Sequence, residues 1–294
     1  MAMRGTWGWM VLVGGILIGL AACGSSPPST PLYTQYQRGE ERALQYYARG
    51  ELPQALQGFQ ESLRWAEIVD DRPAIVAQAL NVSTVALALG EWSLAEHYLL
   101  KALQVAQALS DPTSVLRAQL GLAEIPLRRG QFDIARTKFL VVLDEGRAQG
   151  DRAAMLAALN GLGLAYQGLG QMDDARRSFD EAESLARSGG EKRLLAATLA
   201  NQASLALRSS RIDQAKDYLT EAIALDREAE NLSGLAQDLA LLARVRQQQN
   251  DPRGALELYQ QAQTIAEHTG QREQVQKYQQ AIDLLKNESD VPLQ

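Results

Sequence analysis

A turn residue recurs every 40 positions along this chain, at Gly50, Gly90, Gly130, Gly170, Ser210 and Asn250, and an alanine stands five residues after each. Those alanines, Ala55, Ala95, Ala135, Ala175, Ala215 and Ala255, keep register with the turns over most of the sequence. A fixed period of this length is the mark of a repeat architecture. Each unit is then a helical hairpin that cannot bury its apolar face alone, so neighbours stack into a solenoid with an extended inner surface.

The remaining composition agrees. A chain of 294 residues would ordinarily suggest two globular domains, but a repeat array grows by adding units, and one elongated domain absorbs the whole length. Apolar residues make up 46% and aromatics 6%, with Ala and Leu dominating, which suits closely approaching helices better than a β-rich core. The net charge of −6 becomes −7 once Arg4, the only ionisable side chain ahead of Cys23, is removed. An acidic chain is a poor general binder of nucleic acid, whose affinity rests on Lys and Arg neutralising phosphates.

Residues 1–22 read as an export signal and are left out of the fold. Arg4 is a thin positive region, and Thr6 to Leu20 form an apolar run of 15 residues, short of the roughly 20 a spanning helix needs. Leu20-Ala21-Ala22-Cys23 closes it, and Cys23 is the single cysteine of the chain. This tetrapeptide resembles the lipobox of bacterial lipoproteins. The resemblance implies acylation of Cys23, palmitate among the acyl groups, and a protein held to the cell envelope by several acyl chains on one residue. Gly24 rather than Asp after the cysteine implies the outer membrane, facing the periplasm. Residues 23–31 are then the lipidated cysteine and a Ser- and Pro-rich tether, 32–287 the solenoid and 288–294 a tail.

The repeat is plainest around Leu162-Gly163, Tyr166, Gly170, Ala175, Phe179 and Ala182. Nine residues past each turn stand Phe59, Leu99, Phe139, Phe179, Leu219 and Tyr259, and the next small site holds Ser62, Ala102, Val142, Ala182, Ala222 and Ala262. The chain resembles a tetratricopeptide repeat protein. The resemblance implies an all-α, right-handed α-solenoid of about six helical hairpins plus a C-terminal capping helix, Arg272 to Asn287, whose Val275, Tyr278, Ile282 and Leu285 share a face. The period exceeds the usual 34 residues by six, an excess that lengthened helices accommodate more readily than a long loop. Ser93, Asp133, Asp173, Asp213 and Asp251 are expected to cap second helices, with Pro252 in a first turn. Asp71, Asp111 and Asp151 recur between hairpins, with Pro73 and Pro112 just behind. Pro126 is expected to kink its helix.

Catalytic chemistry has little to stand on. Gly161-Leu162-Gly163 opens like a dinucleotide loop, but Tyr166 occupies the place of the third glycine and no strand precedes it. No phosphate loop or Gly-x-Ser-x-Gly elbow occurs, and the two histidines, His97 and His268, are far apart in sequence. The acidic pairs Asp70-Asp71 and Asp173-Asp174 fall at repeat-periodic turn positions and read as helix-end charges. Neither enzyme activity, nor a cofactor, nor a metal is expected.

Binding is expected on the inner face formed by the first helix of each hairpin. Mapping the tetratricopeptide inner positions onto this sequence nominates Asn81, Thr84, Arg117, Glu124, Arg128, Asn160, Gln167, Asn201, Ser204, Arg208 and Arg244 as peptide-binding residues. Asn81 and Asn201 are equivalent positions, and asparagine, a middling helix former, suggests amides offered to a peptide backbone. The terminal-carboxylate clamp of some family members is not present, because Glu40 and Leu44 stand at its first positions. The expectation is a lipid-anchored scaffold for a protein or peptide partner in the envelope, of the kind that assists pilus, secretin or cell-wall machinery. A binding module for a small molecule or glycan and an envelope enzyme are the alternatives. The sequence leaves the oligomeric state open.

Overall fold

A computed structural model describes residues 31–289; the expected signal, Cys23 and most of the tether and tail lie outside the described residues. These residues form thirteen α-helices: α1 (Pro31–Ala48), α2 (Leu52–Ile68), α3 (Arg72–Ala88), α4 (Trp92–Ala108), α5 (Pro112–Arg128), α6 (Phe132–Gln149), α7 (Arg152–Gly168), α8 (Met172–Gly189), α9 (Lys192–Arg208), α10 (Ile212–Glu228), α11 (Leu232–Gln248), α12 (Pro252–His268) and α13 (Arg272–Ser289). From α2 onward each helix begins 20 residues after the one before. The 40-residue period is therefore two helices of nearly equal length, and the excess over the usual repeat lies in the helices rather than in a loop.

One backbone device makes every connection. The residue at positions 50, 70, 90 and so on to 270 has positive φ, glycine at seven of the twelve sites and Asp70, Ser110, Ser210, Glu230 and Asn250 at the rest. Each left-handed residue donates its N–H to the carbonyl three residues back, and the following N–H reaches five residues back, as in Gly50 to Tyr47 (3.0 Å) and Glu51 to Tyr46 (2.9 Å). This is a Schellman closure, which satisfies the last carbonyls of a helix and turns the chain in two or three residues. Glu230 has the side chain least suited to that conformation.

The caps follow a different rule from the expected one. Asp71, Asp111 and Asp151 cap first helices, accepting from the N–H groups of Ala74, Ser114 and Ala154 at 3.1, 3.1 and 2.9 Å, and Asn231 and Asp251 cap α11 and α12 in the same way. Ser93, Asp133, Asp173 and Asp213 do not cap. Each is the second residue of its helix, because the Schellman closure ends two residues earlier and leaves Glu91, Gln131, Gln171 and Arg211 at the N-cap without a side-chain bond. The three acids still favour the positive helix end, and Asp133 and Asp173 pair with arginines three residues on, Arg136 (3.0 Å) and Arg176. Pro126 is buried in the last turn of α5, which runs on as helix to Arg128.

Within α7 the chain divides into two compact units, with described residues to Ala158 in one and from Leu159 in the other. In the N-terminal unit Ala55, Ala95 and Ala135 are wholly buried and Phe59, Leu99 and Phe139 are at most 2% exposed. In the C-terminal unit Ala175, Ala215 and Ala255 repeat the pattern around Phe179, Leu219 and Tyr259. A Cβ at Gly163 would enter the Phe179 ring, so the second glycine of the stretch that opens like a dinucleotide loop is a seat for that ring. Tyr278, Ile282 and Leu285 of α13 close the core of this unit, with Val275 half-buried beside them.

Candidate functional site

The nominated residues lie on α3, α5, α7, α9 and α11, the first helices of their hairpins. In the N-terminal unit Asn81 is half-buried and its amide makes one long bond, 3.4 Å, to Gln78, which is fully buried and donates to Glu40 at 2.7 Å. The Thr84 hydroxyl donates to the Leu80 carbonyl at 2.9 Å. Glu124 is buried, and Arg128, one turn on, donates to the same oxygen from Nε at 3.0 Å and Nη2 at 2.7 Å. Burial pushes the Glu124 carboxyl above its ordinary range and the guanidinium pulls it back only in part. Arg117 is half-buried, and that burial lowers its pKa against the opposing pull of Asp111. Sequence reasoning missed Tyr47 of α1, whose hydroxyl is pushed up by burial and by the charge of Glu124. Its repeat equivalents are Leu87, Leu127, Gln167, Leu207 and Gln247, so a position shared evenly between leucine and polar side chains was the available signal.

In the C-terminal unit two nominated amides serve the fold. Asn160 and Asn201 are 3% and 2% exposed; Asn201 donates to Asn160 Oδ1 at 3.1 Å, and Asn160 donates to Thr198 Oγ1 at 2.9 Å. They tie α7 to α9 and do not present amides to solvent, since buried polar groups must find partners where the helices meet. Gln167 is equally buried, and its amide nitrogen has no partner among the described residues. Ser204 and Arg244 are half-buried and Arg208 is exposed. The accessible part of the nominated set is thus Asn81, Thr84, Arg117 and Arg128 in one unit and Ser204, Arg208 and Arg244 in the other.

Elsewhere, a groove of about 310 Å³ on the outer helices α2 and α4 is lined by Arg64, Glu67, His97, Tyr98 and Lys101, with Lys101 paired to Glu67. Among the described residues no three His, Cys, Asp or Glu side chains converge as metal ligands do, and no helix is long and apolar enough to cross a membrane.

Two family models, both described as tetratricopeptide repeat, match residues 154–228 and 239–273. The chain carries tetratricopeptide repeats over these segments. Its helical pairs superpose on solved structures of low identity, which share the fold. The Rap protein complexed with competence and sporulation factor is 13% identical, with 86% of this chain and 75% of that chain covered at a TM-score of 0.64. Aspartyl phosphate phosphatase F from Bacillus subtilis is 16% identical over 89% and 72%, at 0.65. NprR in complex with its cognate peptide NprX is 14% identical over 89% and 78%, at 0.61. No curated protein matches the sequence.

Proposed function

We propose that the protein is a non-catalytic scaffold that holds a protein or peptide partner against its first helices, working from a lipid anchor at Cys23 on the periplasmic side of the outer membrane. The observation that carries the binding reading is the set of cations Arg117, Arg208 and Arg244. Each lies on a first helix, and among the described residues none has a carboxylate within ion-pair distance. Guanidinium groups left open on the first helices offer bidentate donors to the carboxylates of a partner. The Rap and NprR structures, solved with a bound factor and a bound peptide, support the same use of this fold. The anchor reading rests on the Leu20-Ala21-Ala22-Cys23 tetrapeptide and on the apolar run before it.

Photo-crosslinking in cells tests the binding reading. Probes at Asn81, Thr84, Ser204 and Arg208 are expected to capture one dominant envelope protein that matched probes at Gln104 and Glu181, exposed on outer helices, do not. Equal capture from both sets, or none from either, rejects the inner face. Cys23→Ser tests the anchor separately: the variant is expected to leave the membrane fraction, and its retention there rejects the lipid.

A further inference from the structure

One junction in the C-terminal unit departs from the repeat. The residue at the end of each second helix, where the next helix packs, is Ala66, Ala106, Gly146, Ala186, Asp226 and Ala266. The alanines are fully buried, and Asp226, at 2% exposed, occupies the same place with a carboxyl group. Gly234 of α11 makes room for it, because a Cβ there would strike both the Asp226 carboxylate and the Asn231 amide. Asn231, the cap of α11, donates to Asp226 Oδ1 at 2.9 Å and accepts from the Gly234 N–H at 3.3 Å.

A second acid lies beside it. Asp238 of α11 is 2% exposed, and its Oδ2 has no partner among the described residues. The repeat register explains the orphan. Where α3 meets α1 and α9 meets α7, residues 38 apart form a polar bridge, Gln78 to Glu40 and Asn160 to Thr198. The same offset from Asp238 falls on Ala200, which has nothing to donate.

We propose that Asp226 and Asp238 form a protonation-controlled latch that holds α11 on α10, closed while the pair carries protons and loosened as it ionises. The groups around it leave it with little compensation. Arg193 of α9 attracts Asp226, but its guanidinium is engaged on the Ala229 carbonyl at 2.9 Å. Asn231 of α11 offers one hydrogen bond, α12 brings the neutral Tyr259 and α13 the neutral Tyr278, while Arg244 of α11 acts on Tyr259. Burial raises the Asp226 carboxyl to about 6 and raises Asp238 well above the ordinary range, with Asp226 adding to the effect. Both folded values exceed the unfolded ones, so the stabilisation is complete below about pH 4 and is lost as pH rises through about 6. Ser204 and Arg208 on α9 and Arg244 on α11 would then share their spacing only while the latch is closed.

Hydrogen exchange of the full chain without any partner, compared at pH 5 and pH 8 after correction for intrinsic rates, tests the latch apart from the binding reading. From Asp226 alone the opening equilibrium of α11 amides is expected to rise about tenfold across that range. Asp226→Ala, which restores the residue of the other repeats, and Asp238→Asn are expected to flatten the rise, while amides of α3 and α4 stay constant in every variant. An α11 response that is absent, or that persists unchanged in Asp226→Ala, overturns the proposal. Carboxyl NMR titration of the unmutated protein provides a readout free of folding defects: a midpoint near 6 for Asp226 supports the latch, and midpoints near 4 for both acids overturn it.

Discussion

Each unit buries acid, and the two do so in opposite ways. In the N-terminal unit Glu124 has Arg128 one helical turn away, with two nitrogens on one carboxylate oxygen. In the C-terminal unit Asp226 has one amide, and Asp238 has an oxygen with no partner among the described residues. Burial raises both carboxyls, but a neighbouring guanidinium pulls Glu124 part of the way back, whereas Asp226 and Asp238 have no close counter-charge to do the same. The comparison teaches that burial alone does not decide what an acid does in a repeat array; the residue one turn or one repeat away does.

The largest test of that contrast converts the first case into the second. Arg128→Ala strands Glu124 and is expected to cost about 3 kcal/mol at pH 8 and distinctly less at pH 5, measured by denaturant unfolding. A loss equal at both pH values would mean that the arginine acts by packing rather than by charge.

Asn160→Ala is the neutral counterpart. It leaves Thr198 and Asn201 without their bridge and is expected to cost about 2 kcal/mol, the same at pH 5 and pH 8, because no group in that bridge titrates. A pH-dependent loss would show that the α7–α9 contact is coupled to the acids.

Ala200→Asn attempts the reverse, supplying Asp238 with the donor that its register lacks. The expected gain is about 1 kcal/mol at pH 8 and none at pH 5, read from thermal unfolding as a smaller difference between the two conditions. A uniform loss would mean that the side chain does not fit in the space that Asn160 fills one repeat earlier.

The smallest effect belongs to the surface. Arg187 meets Glu183 and Glu221 at 2.8 and 2.6 Å, but all three are partly exposed, so Arg187→Ala is expected to cost under about 1 kcal/mol and to lose most of that in high salt. A salt-insensitive loss would indicate that its stem packs between α8 and α10.

Much of the fold was legible because it repeats. Ala175, Phe179 and Ala182 declare a helix-packing pattern by recurrence, and each recurrence is an independent reading of the same local physics. The turns were half legible: Gly50 and its equivalents marked alternate connections, while Asp70, Ser110 and Glu230 adopt the same left-handed conformation with residues that do not announce it. The caps at Asp71, Asp111 and Asp151 were readable, and those expected at Ser93, Asp133, Asp173 and Asp213 were displaced by the geometry of the closure before them. Of the nominated inner residues, sequence identified the helices correctly but not which side chains remained open. Asn81 and Asn201 hold equivalent positions, yet one keeps part of its surface and the other bonds to Asn160, because Glu40, at the same offset from Asn81, accepts from Gln78 instead.

By itself, then, the sequence determined a helical array of fixed period and its core positions, which follow from residue type and spacing along the chain. Only the tertiary structure decided which polar groups meet across helices: Gln78 with Glu40, Asn160 with Thr198, and Asp238 opposite an alanine. Periodicity is a property of the chain, but whether a buried polar atom is satisfied depends on atoms of another helix, a whole repeat away in sequence.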